Sequence, residues 1–194
     1  MATFLLTTTG LAIAGSIVES KYIPKNTDGP FGLSTYFGLT PLVFCIFNFF
    51  VLSFGMRSGQ ARRKYTEQAT KDGEKDVEDR YGLPNLYAQG TTKNAKAFNC
   101  VQRAHQHIFE SLTQVMFASV VAAISYPVTA GVASLLYAIG RFYTSKGYAE
   151  GEGDASKRFK YGILGRFMYR GLLINFLLGI ISSIKMITGG KFIW

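Results

Sequence analysis

The fold is decided by the stretch from Phe31 to Met56, FGLSTYFGLTPLVFCIFNFFVLSFGM, which holds twenty-six residues and no charged side chain. A second uncharged stretch, of thirty residues, runs from Ser111 to Gly140. Apolar stretches of about eighteen residues or more are typical of transmembrane helices. The 194-residue chain is therefore expected to be an integral membrane protein, and an ordinary soluble enzyme is excluded.

The limits of the spans follow from charged residues and turns. The charge-rich segment 57–96 closes the first span, and Pro127 divides the second uncharged stretch into two helices joined by a short turn. A further apolar stretch follows the acidic, glycine-rich connection at 149–155. The pattern predicts an all-α fold, an integral membrane four-helix bundle in residues 31–194. Its predicted spans are 35–56, 98–124, 128–148 and 161–187.

Residues 1–30 differ in character from the predicted bundle. Ala2 to Val18 form an additional apolar segment that is short for a span and lacks the basic leader and clear cleavage site of a signal peptide. Residues 19–30 have the composition of a loop. A short extra helix, an interfacial segment and a targeting signal remain open, and we expect a retained, membrane-associated extension.

The net charge of +9 is explained by topology. Seventeen of the 21 Lys and Arg residues lie in two windows, 57–103 and 141–170, which contain the two loops on one side of a four-span chain. Such an excess of positive charge marks cytoplasmic loops. We therefore expect both loops to face the cytoplasm, membrane lipids as neighbours, and no nucleic-acid partner.

Motifs for metals or disulfides are not evident. Cys45 and Cys100 lie in different apolar segments, and the only histidines are His105 and His107. Structural zinc sites use about four Cys or His ligands at close, regular spacing. We therefore expect neither a metal site nor a disulfide framework.

Polar residues recur at helical spacing in the span predicted at 98–124. Spacings of three, four and seven residues place one set on a single helix face. This set is Asn99, Arg103, Gln106, His107, Glu110 and Gln114. The next span carries a similar set near its cytoplasmic end: Tyr137, Arg141, Thr144, Ser145 and Tyr148.

These two polar stripes admit two interpretations. Charged residues in a span normally pair with one another or line a wet cavity. The stripes therefore predict a cytoplasm-facing pocket for a small anion with peptide-like hydrogen-bonding groups. Alternatively, Arg103 and Arg141 only extend to the membrane interface, and Glu110 neutralises one of them.

Three blocks of sequence carry a resemblance to a known family. They are FNCVQRAHQHIFE at 98–110, ARRKY at 61–65, and GRFYTSKGYA at 140–149 followed by Ser156, Lys157 and Arg158. Together they resemble the membrane-associated proteins in eicosanoid and glutathione metabolism (MAPEG) over about residues 35–187. The resemblance implies a homotrimer of four-helix protomers that binds glutathione, as a co-substrate, between protomers at the cytoplasmic side.

The resemblance also implies roles for individual residues. Arg103 is similar to the residue that grips a glutathione carboxylate, and Glu110 to the one that receives its amino group. Tyr148 resembles a tyrosine that contacts the tripeptide. Arg158 resembles the catalytic arginine that holds the thiol as thiolate, with Lys157 as the alternative one position away.

Further glutathione contacts come partly from the resemblance and partly from the stripes. Arg62 and His105 match positions that reach in from a neighbouring protomer, and His105 lies on the face opposite the stripe. His107 stands where the family has an asparagine that hydrogen-bonds glutathione. The stripes add Asn99 and Arg141.

Two functions compete at this point. The first is a membrane-bound glutathione transferase, with glutathione-dependent peroxidase activity as a further activity. Its second substrate would be an apolar electrophile or a lipid hydroperoxide. The alternative is a non-catalytic accessory or scaffold subunit of a larger membrane complex, favoured by departures such as His107, Ser111 and Thr144. The endoplasmic reticulum is the default location that the resemblance implies, with the outer mitochondrial membrane or another organelle membrane as alternatives.

Overall fold

A computed structural model describes residues 1–24 and 27–190 of the chain. The described residues form α-helices and three short 3-10 turns, with no strand among them. The helices are α1 (Ala2–Tyr22), α2 (Leu39–Lys71), α3 (Val77–Tyr81), α4 (Lys93–Ser125), α5 (Pro127–Ala149) and α6 (Ile163–Ile187). The 3-10 turns are Pro30–Gly32, Thr35–Gly38 and Ala155–Phe159. The predicted all-α fold is confirmed.

Among the described residues, four helices are long and apolar enough to cross a membrane. They are α1, α2 together with the turn before it (Thr35–Lys71), α4 and α6. The extension thus includes a helix of spanning length, whereas α5 lies outside this group within the described residues. The four apolar helices are those of an integral membrane protein.

The charge at Arg57 ends the apolar stretch but does not end the helix. Helix α2 continues to Lys71, well past the span limit predicted at 56, because Arg, Lys, Gln, Glu and Ala are good helix formers. Likewise α4 begins at Lys93 rather than near Phe98. Helices α5 and α6 begin and end within two residues of 128–148 and 161–187.

The chain divides into two compact units. The first comprises the described residues of Met1–Phe47, Ser111–Gly140 and Phe167–Trp194. The second comprises Asn48–Glu110 and Arg141–Arg166.

The first unit is packed through small residues. A Cβ on Gly171 of α6 would lie 2.3 Å from the Ala133 carbonyl oxygen and 2.4 Å from the Tyr137 nitrogen of α5. Only glycine allows the two helix backbones to approach so closely, as is common between membrane helices. Alanines also dominate the buried cluster around Tyr126 and Leu178.

Helix α1 belongs to the first unit and is held there by Glu19. This residue was expected in a loop, but it lies in the last turn of α1 and is 6% exposed. Its two carboxylate oxygens accept hydrogen bonds from the backbone N–H groups of Val128 and Thr129, each at 2.8 Å. These donors belong to the first turn of α5, where a helix favours an anion. The burial of Glu19 therefore extends α1 beyond its apolar run and attaches the extension to α5.

The charged segment between α2 and α4, in the second unit, is folded. The Glu74 carboxylate pairs with Arg80 at 3.0 Å and accepts hydrogen bonds from Thr92 at 3.0 Å and Asn94 at 3.0 Å. Tyr81, at the end of α3, is fully buried. These contacts attach the segment between α2 and α4 to the helix ends on either side of it.

Candidate functional site

The second unit contains a cavity of about 360 Å³ between α4, the end of α5 and the connection that follows it. Three of the predicted site residues, Asn99, Arg103 and Tyr148, line this cavity. The other lining residues are Tyr87, Lys96, Cys100, Gly153 and Ala155. Two residues of the predicted stripe on α4, Asn99 and Arg103, thus lie on the helix face that lines this cavity.

Arg103 and Glu110 form an ion pair with each other. Their side chains are 36% and 48% exposed. Exposed ion pairs contribute little to stability, because water solvates both charges when the pair opens. Each of the two groups predicted to bind glutathione could therefore exchange its present partner for an oppositely charged group of the ligand. The pairing also agrees with the alternative interpretation, in which Glu110 only neutralises Arg103.

Tyr148, which lines the cavity, is in contact with Arg158. The Arg158 Nη1 donates a hydrogen bond of 2.9 Å to the phenol oxygen of Tyr148, which is 4% exposed. A Cβ on Gly147 would lie 2.5 Å from the Lys157 carbonyl oxygen, so the glycine lets α5 pack directly against the backbone that carries Arg158. Of the two alternatives at this position, Arg158 is the one that hydrogen-bonds to a residue lining the cavity.

His107 is buried beside Tyr148. It is 6% exposed, and its ring centroid lies 5.2 Å from that of Tyr148. Neither ring nitrogen has a hydrogen bond of good geometry among the described residues, although the backbone of Ala104 also acts on the ring. The guanidinium groups of Arg103, Arg141 and Arg158 act on the ring electrostatically. An unpaired buried polar group is costly, so a polar ligand atom would be accommodated well here.

The Asn99 side chain is hydrogen-bonded to the backbone of the loop next to the cavity. Its side-chain oxygen accepts a hydrogen bond from the Ala88 N–H at 2.8 Å, and its amide donates to the Ala88 carbonyl at 2.9 Å. These two bonds fix the loop segment that carries Tyr87 against α4. Asn99 therefore shapes the wall of the cavity.

Arg62 and His105 lie away from this cavity. The Arg62 guanidinium donates to the backbone carbonyls of Tyr81, Asn85 and Leu86, and it stacks on Phe98 at 4.8 Å. The His105 Nε2 lies 3.1 Å from the position of a Cβ on Gly55 of α2, and its ring packs edge-on against Phe109. The chain does not bring these two residues to Arg103, and a contribution from a neighbouring protomer remains a prediction.

Five lining residues were not predicted from the sequence, and Tyr87 and Cys100 are among them. Tyr87 donates its phenol hydrogen to the Gln106 side chain and lies in a loop, where no periodicity marks it. Cys100 lines the same cavity three residues before Arg103. A spacing of three residues places Cys100 on the same helix face as Arg103, so the sequence could have predicted its position. It was not predicted because only polar residues were considered on that face.

The walls of the cavity are mainly apolar, and Arg103 supplies the guanidinium among its lining residues. Other polar groups lie near it: Glu110 is paired with Arg103, and Arg158 is hydrogen-bonded to Tyr148. Such a set of groups would suit a ligand with carboxylates and peptide groups. Within the described residues, no cluster of three or more His, Cys, Asp or Glu side chains is arranged to hold a metal ion.

Comparison with known families gives a match over most of the chain. The MAPEG family model matches residues 38–178, a range that contains every predicted site residue. Residues 1–37, which include α1, lie outside the match. No solved structure matches the chain.

Proposed function

Because the chain belongs to the MAPEG family, we propose that it is a membrane-bound glutathione transferase that binds glutathione in the cavity lined by Arg103 and Tyr148. Within the family we place it nearest to microsomal glutathione transferase 3, on the sequence blocks quoted above. We further propose the homotrimer of that family as its assembly and the endoplasmic reticulum as its membrane. The observation that carries the proposal is the exposed Arg103–Glu110 pair beside the Arg158–Tyr148 contact, inside the matched range.

Binding would proceed by exchange of charged partners. Glutathione carries two carboxylates and one ammonium group. Arg103 would hold a carboxylate with two parallel hydrogen bonds, and Glu110 would receive the ammonium group. The pair satisfies both charges while the site is empty, and the ligand replaces each partner with an equivalent one. The unpaired nitrogens of His107 offer the ligand a further hydrogen-bonding position.

Arg158 would then stabilise the glutathione thiolate. A free thiol has a pKa of about 8.5, and a nearby guanidinium favours the nucleophilic thiolate form. Arginine keeps its charge at physiological pH, so it stabilises the sulfur without accepting its proton, which leaves to water. In the transferase reaction the sulfur forms a bond to an electrophilic carbon of an apolar substrate, and the leaving group on that carbon departs with its bonding electron pair. In the peroxidase reaction the sulfur attacks the terminal hydroperoxide oxygen, the O–O bond breaks, and the alkoxide that leaves takes a proton from water to become an alcohol. A second glutathione would then convert the resulting sulfenic acid into glutathione disulfide and water.

Titration calorimetry with glutathione tests this function on the full chain in a mild detergent. Arg103→Gln is expected to weaken binding at least tenfold, since a charge-assisted hydrogen bond contributes about 1.5 to 3 kcal/mol. Arg63→Gln, which removes the same charge from an exposed position outside the cavity, is the matched control. Absence of binding to the parent protein at millimolar glutathione would exclude the proposed function.

A second function is favoured by the extension. Helix α1 lies outside the family match and is attached through the buried Glu19 carboxylate, which supports an added structural or assembly role. The chain would then be an accessory subunit of a larger membrane complex, in contact through α1 and the folded loop. Mass measurement after purification in mild detergent separates the two functions. A homotrimer favours the transferase, and a stoichiometric place in a large assembly favours the accessory subunit.

A further inference from the structure

A second, larger cavity lies in the same unit and shares no lining residue with the first. Its volume is about 620 Å³, and its walls come from α2, α4 and the connection after α5. Arg57, Lys64, Lys160 and Tyr65 line it together with Glu150 and Glu152. The proposed glutathione chemistry makes no use of these residues.

One face of α2 supplies the basic wall of this cavity. Arg57, Gln60, Ala61, Lys64 and Tyr65 line it, and their spacings of three, four, seven and eight place them on one side of a helix. The same side continues into an adjoining cavity of about 350 Å³, which Lys64 and Tyr65 also line. The basic face thus extends along the part of α2 that follows the apolar stretch.

The charges in the larger cavity are unequally compensated. Lys160 is bound to Glu150 at 3.1 Å, and Glu150 also accepts a hydrogen bond from Tyr161 at 2.7 Å. Among the described residues, neither Arg57 nor Lys64 forms an ion pair. Glu152 is the remaining carboxylate at the wall. Two exposed cations without an ion-pair partner, of which Lys64 lies over the Tyr65 ring, therefore line the cavity together with one carboxylate that likewise forms no ion pair among the described residues.

The position of Arg57 indicates where the cavity lies. It is the first charged residue after the uncharged stretch that ends at Met56, so it marks the level of the lipid headgroups. Basic pockets between transmembrane helices on the cytoplasmic side bind the headgroups of polyanionic lipids. Arginine also matches phosphate geometry through two parallel hydrogen bonds.

We propose that this cavity binds the phosphate groups of a polyanionic ligand through Arg57 and Lys64, with the Tyr65 phenol as a further donor. The ligand is either the headgroup of a lipid that carries more than one phosphate or a soluble polyphosphate. Both present the same phosphoryl oxygens to the two cations. Glu152 opposes this binding and limits its strength.

The test measures binding of three probes to the full chain in an uncharged detergent. The probes are short-chain phosphatidylinositol bisphosphate, short-chain phosphatidylcholine and inorganic pyrophosphate. We expect the bisphosphate lipid, pyrophosphate or both to bind and phosphatidylcholine not to bind. Binding of the lipid without pyrophosphate identifies a headgroup site, and binding of pyrophosphate identifies a site for soluble polyphosphates.

Matched variants connect the binding to the cavity. The double variant Arg57→Gln, Lys64→Gln is expected to bind at least tenfold more weakly, and Glu152→Gln severalfold more tightly. Arg63→Gln removes a charge from the same helix outside both cavities and should change the affinity less than twofold. Glutathione affinity, measured on the same double variant, should be unchanged and also verifies that it is folded. Failure of both phosphate probes to bind, or an equal loss with Arg63→Gln, would overturn the proposal.

Discussion

Glu19 and Glu110 are two carboxylates on long apolar helices that are satisfied in different ways. Glu19, in the first unit, is 6% exposed and accepts two backbone hydrogen bonds from the first turn of α5. Glu110, in the second unit, is 48% exposed and pairs with the flexible side chain of Arg103. Backbone donors at a helix end cannot turn away to another partner, whereas a side-chain ion pair can open. The comparison indicates that Glu19 stabilises the fold and that Glu110 is available to a ligand.

We expect the substitution of Glu19 to lower the stability of the protein more than any other substitution proposed below. Glu19→Gln replaces one carboxylate oxygen with an amide nitrogen that faces a backbone N–H, so a charge-assisted bond is lost and two donors oppose each other. The variant should lose about 2 to 3 kcal/mol of stability. Thermal unfolding in detergent measures this loss. The control is Lys21→Gln, an exposed charge near the same helix end, and equal melting of both variants would contradict an anchoring role.

The same substitution at Glu110 should have little effect on stability and a larger effect on glutathione binding. Glu110→Gln opens an exposed pair and should change stability by less than about 1 kcal/mol. It also removes the proposed partner of the glutathione ammonium group, so calorimetry should give about tenfold weaker binding. A variant that unfolds easily and still binds glutathione normally would reverse the comparison between the two residues.

A further comparison within the candidate site concerns Arg158 and its neighbour Lys157. If its guanidinium stabilises the sulfur, Arg158→Ala should leave glutathione binding largely intact and raise the pKa of the bound thiol towards about 8.5. Ultraviolet absorbance of the thiolate, followed against pH, measures the shift. Lys157→Ala is the matched control, and a shift in that variant only would move the role by one position. No shift in either variant would favour the accessory subunit over the transferase.

The fold was largely predictable because its main determinants are local. The uncharged stretches 31–56 and 111–140 and the break at Pro127 require only sequence-neighbouring residues, and they predicted the all-α fold that the structure confirms. The position of Glu19 was not predictable in this way. Its hydrogen-bond donors lie more than one hundred residues further along the chain. The residues next to Glu19 therefore carry no sign of these contacts, and their composition is that of a loop.

The candidate site was predictable to a smaller extent. Helical spacing placed Asn99, Arg103, His107 and Glu110 on one face, because all four lie on one regular helix. The contact between Arg158 and Tyr148 depends on the irregular connection after α5, which periodicity does not describe. The carbonyl partners of Arg62 depend on a similar irregular segment, between α3 and α4.

The last prediction concerns the pH dependence of stability and a third carboxylate, Glu74, which lies outside the spans. Its expected effect is small. Burial raises the pKa of Glu74, but hydrogen bonds from Asn94 and Thr92 and the charge of Arg80 outweigh burial, so its pKa is below its ordinary value of 4.5. Its contribution to stability is therefore present above pH 4.5 and is lost as the pH falls through the lower, folded-state pKa. This carboxylate should behave as Glu19 does, as part of the fold, although on a smaller scale.

Thermal unfolding at neutral and acidic pH tests this behaviour with Glu74→Gln. At neutral pH the variant should be less stable by about 1 kcal/mol, because the ion pair with Arg80 is gone while the hydrogen bonds are partly kept. Its further loss of stability in acid should be smaller than that of the parent protein, since the titrating group has been removed. Glu67→Gln, at an exposed position of α2, should keep the parent's acid dependence. If the Glu74 variant retains that dependence as well, another carboxylate causes the acid sensitivity, and the loop is held by its hydrogen bonds rather than by the charge.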